Sequence, residues 1–83
     1  MDHYLFVVRS ATQAQRMTRV LNSGGIHAGV QRVPAEFARQ GCTYAARLDA
    51  ADYDAALDRL RQARLMPERI LRHTGAGYSE VSS

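Results

Sequence analysis

The sequence contains no lysine. All eleven basic residues are arginine, set against eight acidic ones, for a formal net charge of +3 over 83 residues. A phosphate-cradling loop needs a strand, a Gly-rich segment and a lysine opening a helix. Gly24-Gly25 and Gly75-Ala76-Gly77 therefore read as turns. A compact basic run is also missing. Arg9, Arg16, Arg19, Arg32, Arg39, Arg47, Arg59, Arg61, Arg64, Arg69 and Arg72 are scattered, with no aromatic ladder between them. A pI near 9.6 permits an acidic partner, but the scatter argues against nucleic acid. No apolar run has the length needed to span a bilayer, so no membrane partner is expected. The opening Met1-Asp2-His3-Tyr4 lacks the basic region of a signal peptide. A single cysteine, Cys42, excludes an internal disulfide. These absences lead to the expectation of a cytoplasmic protein, because a free thiol persists in a reducing compartment.

What is present is enough for one small domain. Hydrophobic residues make up 46% of the chain. A domain of this size buries only about 60–65% of its unfolded surface, so its core is thin. Residues 3–9 read as a central strand, with Tyr4, Phe6 and Val8 on one face and Leu5 and Val7 on the other. Ser10 and Gln13 form a capping box that opens a helix over residues 11–22. Its apolar stripe is Ala14, Met17, Val20 and Leu21, and Gly24-Gly25 stops it. A second strand spans 26–33 and ends before Pro34. After a loop over 34–41, a third strand spans 42–48. Asp49 caps a second helix over 50–64, with Pro67 blocking its continuation. Residues 68–73 form a short last strand.

The order β-α-β-β-α-β predicts an α+β, ferredoxin-like sandwich, an antiparallel sheet with two helices on one face. The domain is expected over 1–73. Residues 74–83 form a polar C-terminal tail, frayed or weakly paired, with only Tyr78 and Val81 to dock it. The second sheet face is left to solvent or to a partner, and Leu5 and Val7 there suggest a homodimer.

Chemistry concentrates at the end of the loop. Cys42 follows Gly41 and precedes Thr43. A thiolate is favoured by nearby cations and backbone N–H groups. Gly41 can bare the backbone, Arg39 supplies a guanidinium, Thr43 supplies a hydroxyl, and Arg32 and Arg47 lie on the flanking strands. The competing reading is structural. Free cysteine is among the most buried residue types, and Cys42 shares strand parity with Tyr44, Ala46 and Leu48. Only a bulge or kink at Gly41, or a place beyond the sheet edge, turns the sulfur outward. His27 is a base candidate if it lies beside this loop. His3, His27 and His73 lack the spacing of metal ligands, and no metal or cofactor is expected. Glu36, Asp49, Asp52 and Asp54 read as loop and helix-start charges, and Arg59, Arg61 and Arg64 as a solvated helix face.

The sequence resembles the small selenium/sulfur carrier protein-like family over about residues 4–71. The resemblance rests on Tyr4-Leu5-Phe6-Val7-Val8 followed by Ser10, on Gly24-Gly25-Ile26, on Val33-Pro34, and on Gly41-Cys42-Thr43-Tyr44-Ala45. It implies that Cys42 holds sulfur or selenium, received from a cysteine desulfurase or selenocysteine lyase. Delivery would be to a selenophosphate synthetase or a tRNA-thiolating enzyme. The protein would then be a carrier, not an enzyme. Two departures from the family pattern stand out. Ala38-Arg39-Gln40-Gly41 replaces the serines that many members carry before the cysteine, and Thr43 replaces a glycine of one common form.

Two further readings remain open. One is a ferredoxin-like interaction or regulatory module with a structural cysteine. The other is an RNA-binding domain, which requires Tyr4, Phe6 and Tyr44 to be exposed on the open sheet face.

Overall fold

A computed structural model describes residues 2–38 and 43–81. Five strands form one antiparallel sheet: β1 (His3–Val8), β2 (Ala28–Arg32), β3 (Tyr44–Asp49), β4 (Arg69–Thr74) and β5 (Gly77–Glu80). Two helices, α1 (Ala11–Ser23) and α2 (Tyr53–Ala63), complete the fold. The sheet order is β2-β3-β1-β4-β5. Its first four positions match the ferredoxin-like arrangement predicted from the sequence. β5 continues the sheet beyond β4 through Leu71↔Glu80 and His73↔Tyr78.

The local signals behave as their chemistry requires. The Ser10 hydroxyl accepts from the Gln13 amide at 3.1 Å. The Gln13 side chain reaches one residue further back than expected and accepts from the Arg9 amide at 3.0 Å. At the other end of α1, Gly25 takes φ 82°, the Ile26 amide donates to Leu21, and the Gly25 amide donates to Asn22. That is a Schellman closure.

The second helix differs from expectation at its start. A 3-10 turn, Ala50–Asp52, leads into it, and neither Asp49 nor Asp52 makes a side-chain cap bond. The Ala50 amide instead donates to the Asp2 carbonyl, which ties this turn to the start of β1. α2 ends at Arg64, held at φ 57°, before Pro67 is reached. β3 begins at Tyr44, two residues later than predicted, and β2 begins at Ala28.

Strand parity divides the core in two. Phe6, Val8, Ala46 and Leu48 pack under Ala14, Met17, Leu21, Ala56 and Leu60 of the helices. On the opposite face, Leu5, Val7, Ala45 and Leu71 are fully buried and Val33 nearly so. The cover for that second face comes from the chain itself. Phe37, from the short 3-10 turn Ala35–Phe37, and Tyr78 of β5 pack against this cluster, their rings 6.5 Å apart. The expectation that solvent or a second copy covers this face is thereby corrected: the segment after β2 folds back over it. Burial of Leu5 and Val7 needs no dimer.

Candidate functional site

The β2–β3 hairpin presents the candidate loop. The Val33 amide donates to the Thr43 carbonyl at 2.9 Å, one step beyond the Arg32↔Tyr44 pair. This bond closes the base of the loop. On the outgoing side Pro34 starts the 3-10 turn, and the Pro34 carbonyl accepts from both Phe37 and Ala38. Arg69, at the start of β4, donates from Nη1 to the Phe37 carbonyl and from Nη2 to Glu80 at 3.1 Å. The loop is thus closed at its base by the sheet ladder and held at Phe37 by a mostly buried guanidinium.

Of the predicted site residues, Thr43 is half-buried and contributes its carbonyl to the closing bond. Arg39, Gly41 and Cys42 lie outside the described residues. The two arginines named on flanking strands separate. Arg32 stays at the loop mouth, with its guanidinium 5.1 Å from the Tyr44 ring centre and Nη2 donating to the Tyr44 hydroxyl at 3.2 Å. Arg47 lies three residues further along β3, opposite Gly29 and Leu5, on the other sheet face. His27 precedes β2 at its far end, near Leu48. Six residues of extended chain separate it from Val33, about 20 Å. It is not placed to serve as a base at the loop mouth.

Other charges reach the same end of the sheet. β1 finishes there, with Val8 opposite Tyr44. Arg9 follows and pairs with Glu68 at 3.2 Å. α1 starts two residues later, with its positive end towards this side.

His27 is exposed, whereas His3 is buried and His73 half-buried. His3 and His73 stack with ring centres 4.5 Å apart, because His3↔His73 is a β1–β4 pair. His3 Nε2 lies 2.8 Å from the Tyr78 hydroxyl, which also accepts from Gln31 at 3.3 Å. The sequence signal was parity: His3 continues the Leu5/Val7 face and His73 continues the Leu71 face. Among the described residues, no group of three or more His, Cys, Asp or Glu could hold a metal ion. No helix among them is long and apolar enough to cross a membrane.

The aromatic residues needed for RNA recognition face the helices. Tyr4 packs on Tyr53 at 4.2 Å, and Phe6 meets Tyr53 edge-on at 6.0 Å. Tyr44 packs against the same helix-side core. The open-face platform required by the RNA reading is absent among the described residues.

A family model described as "Putative Se/S carrier protein-like" matches residues 3–72. The chain belongs to this family. The match takes in the sheet from β1 to the middle of β4, both helices and the segment between β2 and β3. Searches of curated proteins and of solved structures found no match to this carrier-family chain.

Proposed function

We propose that the protein carries sulfur or selenium on Cys42. The observation that carries this reading is the family match over residues 3–72, which includes the only thiol of the chain. The closed base of the loop supports it, since a shuttle thiol benefits from a fixed base. Arg32 and the start of α1 at the same end of the sheet support it too, because positive charge favours a thiolate.

The transfer is an exchange at sulfur. A cysteine desulfurase or selenocysteine lyase holds a persulfide or its selenium counterpart on its own cysteine. The Cys42 thiolate attacks the terminal atom, and a new Sγ–S or Sγ–Se bond forms. The donor's S–S or S–Se bond breaks, and its electron pair stays on the donor thiolate. The oxidation level carried by the terminal atom moves with it, so no external oxidant is required. The acceptor, a selenophosphate synthetase or a tRNA-thiolating enzyme, takes the atom in a later step. Such a shuttle belongs in a reducing compartment such as the cytoplasm. Arg39, Gly41 and Thr43 serve as the supporting residues in this reading.

The test is intact mass after incubation with a cysteine desulfurase and cysteine. A one-sulfur adduct on the wild type, absent from Cys42→Ser, is expected. An unmodified wild type, with a thiol that resists alkylation until the chain unfolds, overturns the proposal in favour of an interaction module with a structural cysteine.

A further inference from the structure

The sheet has an open edge at β2, and its hydrogen-bonding groups can be assigned one by one. Val33 points its amide at β3. In an antiparallel pair this orientation alternates, so Gln31 and Gly29 also face β3 while Arg32, Val30 and Ala28 face outward. Ala28 confirms the phase. Its amide donates to the Asn22 side-chain oxygen at 3.0 Å, and its carbonyl accepts from the Asn22 side-chain nitrogen at 3.2 Å. Asn22 therefore occupies the edge at Ala28 as a pairing strand would. Beyond it, the outward N–H and C=O groups of Val30 and Arg32 take no partner among the described residues. Val30 is 44% exposed. Beside this edge, a groove of about 430 Å³ lies over the β2–β3 pair, lined by His27–Gln31 and Arg47–Asp49.

Within α1 and β2, charge has one sign. No aspartate or glutamate occurs between Asp2 and Glu36. α1 and β2 therefore carry Arg16, Arg19 and Arg32 with no acid on either element. None of the three forms an ion pair among the described residues. The acidic residues sit on other segments: Asp49 of β3 lines the groove at its His27 end, away from Arg32, and Asp52, Asp54 and Asp58 lie in and before α2.

We infer that the β2 edge docks an extended acidic segment of a partner protein by strand addition at Val30 and Arg32. Main-chain bonds supply the pairing, and carboxylates on the incoming strand meet the α1–β2 arginines. Asn22 stops the added strand at Ala28. The other end of the edge runs to the Val33–Thr43 bond, so the docked segment lies beside the candidate loop. A second copy of this chain is a poor occupant, since it brings the same arginines to the same edge. RNA is a poor one as well, because α1 and β2 contain no aromatic side chain on which a base could stack. The inference rests on backbone phase and charge, and it stands whether or not Cys42 carries sulfur.

The test uses the whole chain and two capped pentapeptides, one alternating valine and glutamate, the other valine and lysine. Amide exchange with water is followed residue by residue by NMR. At about ten times its Kd, the acidic peptide is expected to slow exchange at Val30 and Arg32 about tenfold. The lysine peptide should leave both unchanged. Arg32→Glu should reverse the preference between peptides, and Val30→Pro, which removes one outward N–H, should weaken binding of the acidic one. No protection at millimolar peptide overturns the inference, as does equal protection by both peptides or protection elsewhere in the sheet. Protection of the same amides by self-association without peptide, or by oligouridylate in place of peptide, also overturns it.

Discussion

The guanidinium of Arg69 donates to the backbone carbonyl of Phe37, and this bond ties β4 to the segment that leads into the candidate loop. The same side chain pairs with Glu80 at 3.1 Å and is 12% exposed. One residue therefore fixes both the cover of the second sheet face and the fifth strand. Replacing Arg69 with methionine keeps the stem and removes the donors. A loss of about 1–2 kcal/mol in urea unfolding is expected, from a charge-assisted bond and a partly buried pair. The loss stays at that level because the buried Arg69 Nε has no acceptor among the described residues and is removed as well. Faster amide exchange at Ala38 would locate the effect in the loop; unchanged exchange there would refute the tie.

Tyr78 bridges two elements through one hydroxyl. Tyr78→Phe retains the ring packing against His3, His73 and Phe37 but deletes the bonds to His3 and Gln31. Destabilisation of about 1 kcal/mol is expected. In a double-mutant cycle, Gln31→Ala should add little once the hydroxyl is gone.

Arg64 ends α2 in the left-handed region, where side chains are strained. The Leu65 amide donates to Leu60 and the Arg64 amide to Arg61, the pattern that usually selects glycine. Arg64→Gly is therefore expected to stabilise the protein by about 0.5–1 kcal/mol, read as a rise in thermal midpoint. A fall in the midpoint would show that the arginine makes a compensating contact.

Ser10 caps α1 through its hydroxyl. Ser10→Ala should cost about 1 kcal/mol by chemical denaturation, and Ser10→Asp should restore most of it.

The carrier reading makes a kinetic prediction for the thiol. Native Cys42 should react with iodoacetamide near neutral pH within about tenfold of the rate in unfolding urea, since thiolate character and access control the reaction. A native rate lower by about a thousandfold, the signature of a thiol reached only by opening of the fold, favours the structural role.

Much of this architecture was legible in local chemistry. The alternation Tyr4/Phe6/Val8 against Leu5/Val7 marked β1 as covered on both faces, and Ser10 with Gln13 marked the start of α1. The helix stop at Gly24-Gly25 was readable because only one backbone conformation closes the cap there. The cover of the second face was not readable. It depends on Phe37 and Tyr78, far apart in sequence, meeting over Leu5 and Leu71. Nothing periodic in a loop of eight residues announces such a meeting. The stacking of His3 on His73 was hidden for the same reason: each sits at the end of a strand, and only their register joins them. For the site, the closing pair Val33–Thr43 follows from hairpin logic, and Arg32 at the mouth follows from pairing with Tyr44. The separation of His27 and Arg47 from that mouth followed from strand length and direction, which the sequence order already implied. Arg39, Gly41 and Cys42 lie outside the described residues.

β1 lies in the middle of the sheet, flanked by β3 on one side and β4 on the other. During synthesis it leaves the ribosome before either neighbour exists. Its six residues include five that end fully buried or nearly so, His3 and Leu5 to Val8. Both rims of this strand stay unpaired until residues 44–49 emerge, and one rim stays bare until residues 69–74 follow. A nascent chain stalled within α1 or β2 would therefore display an apolar ribbon ready to pair with any neighbour. Translation speed across the first half, or a chaperone that shields it, becomes a determinant of yield for a protein whose finished form buries all of that strand but Tyr4.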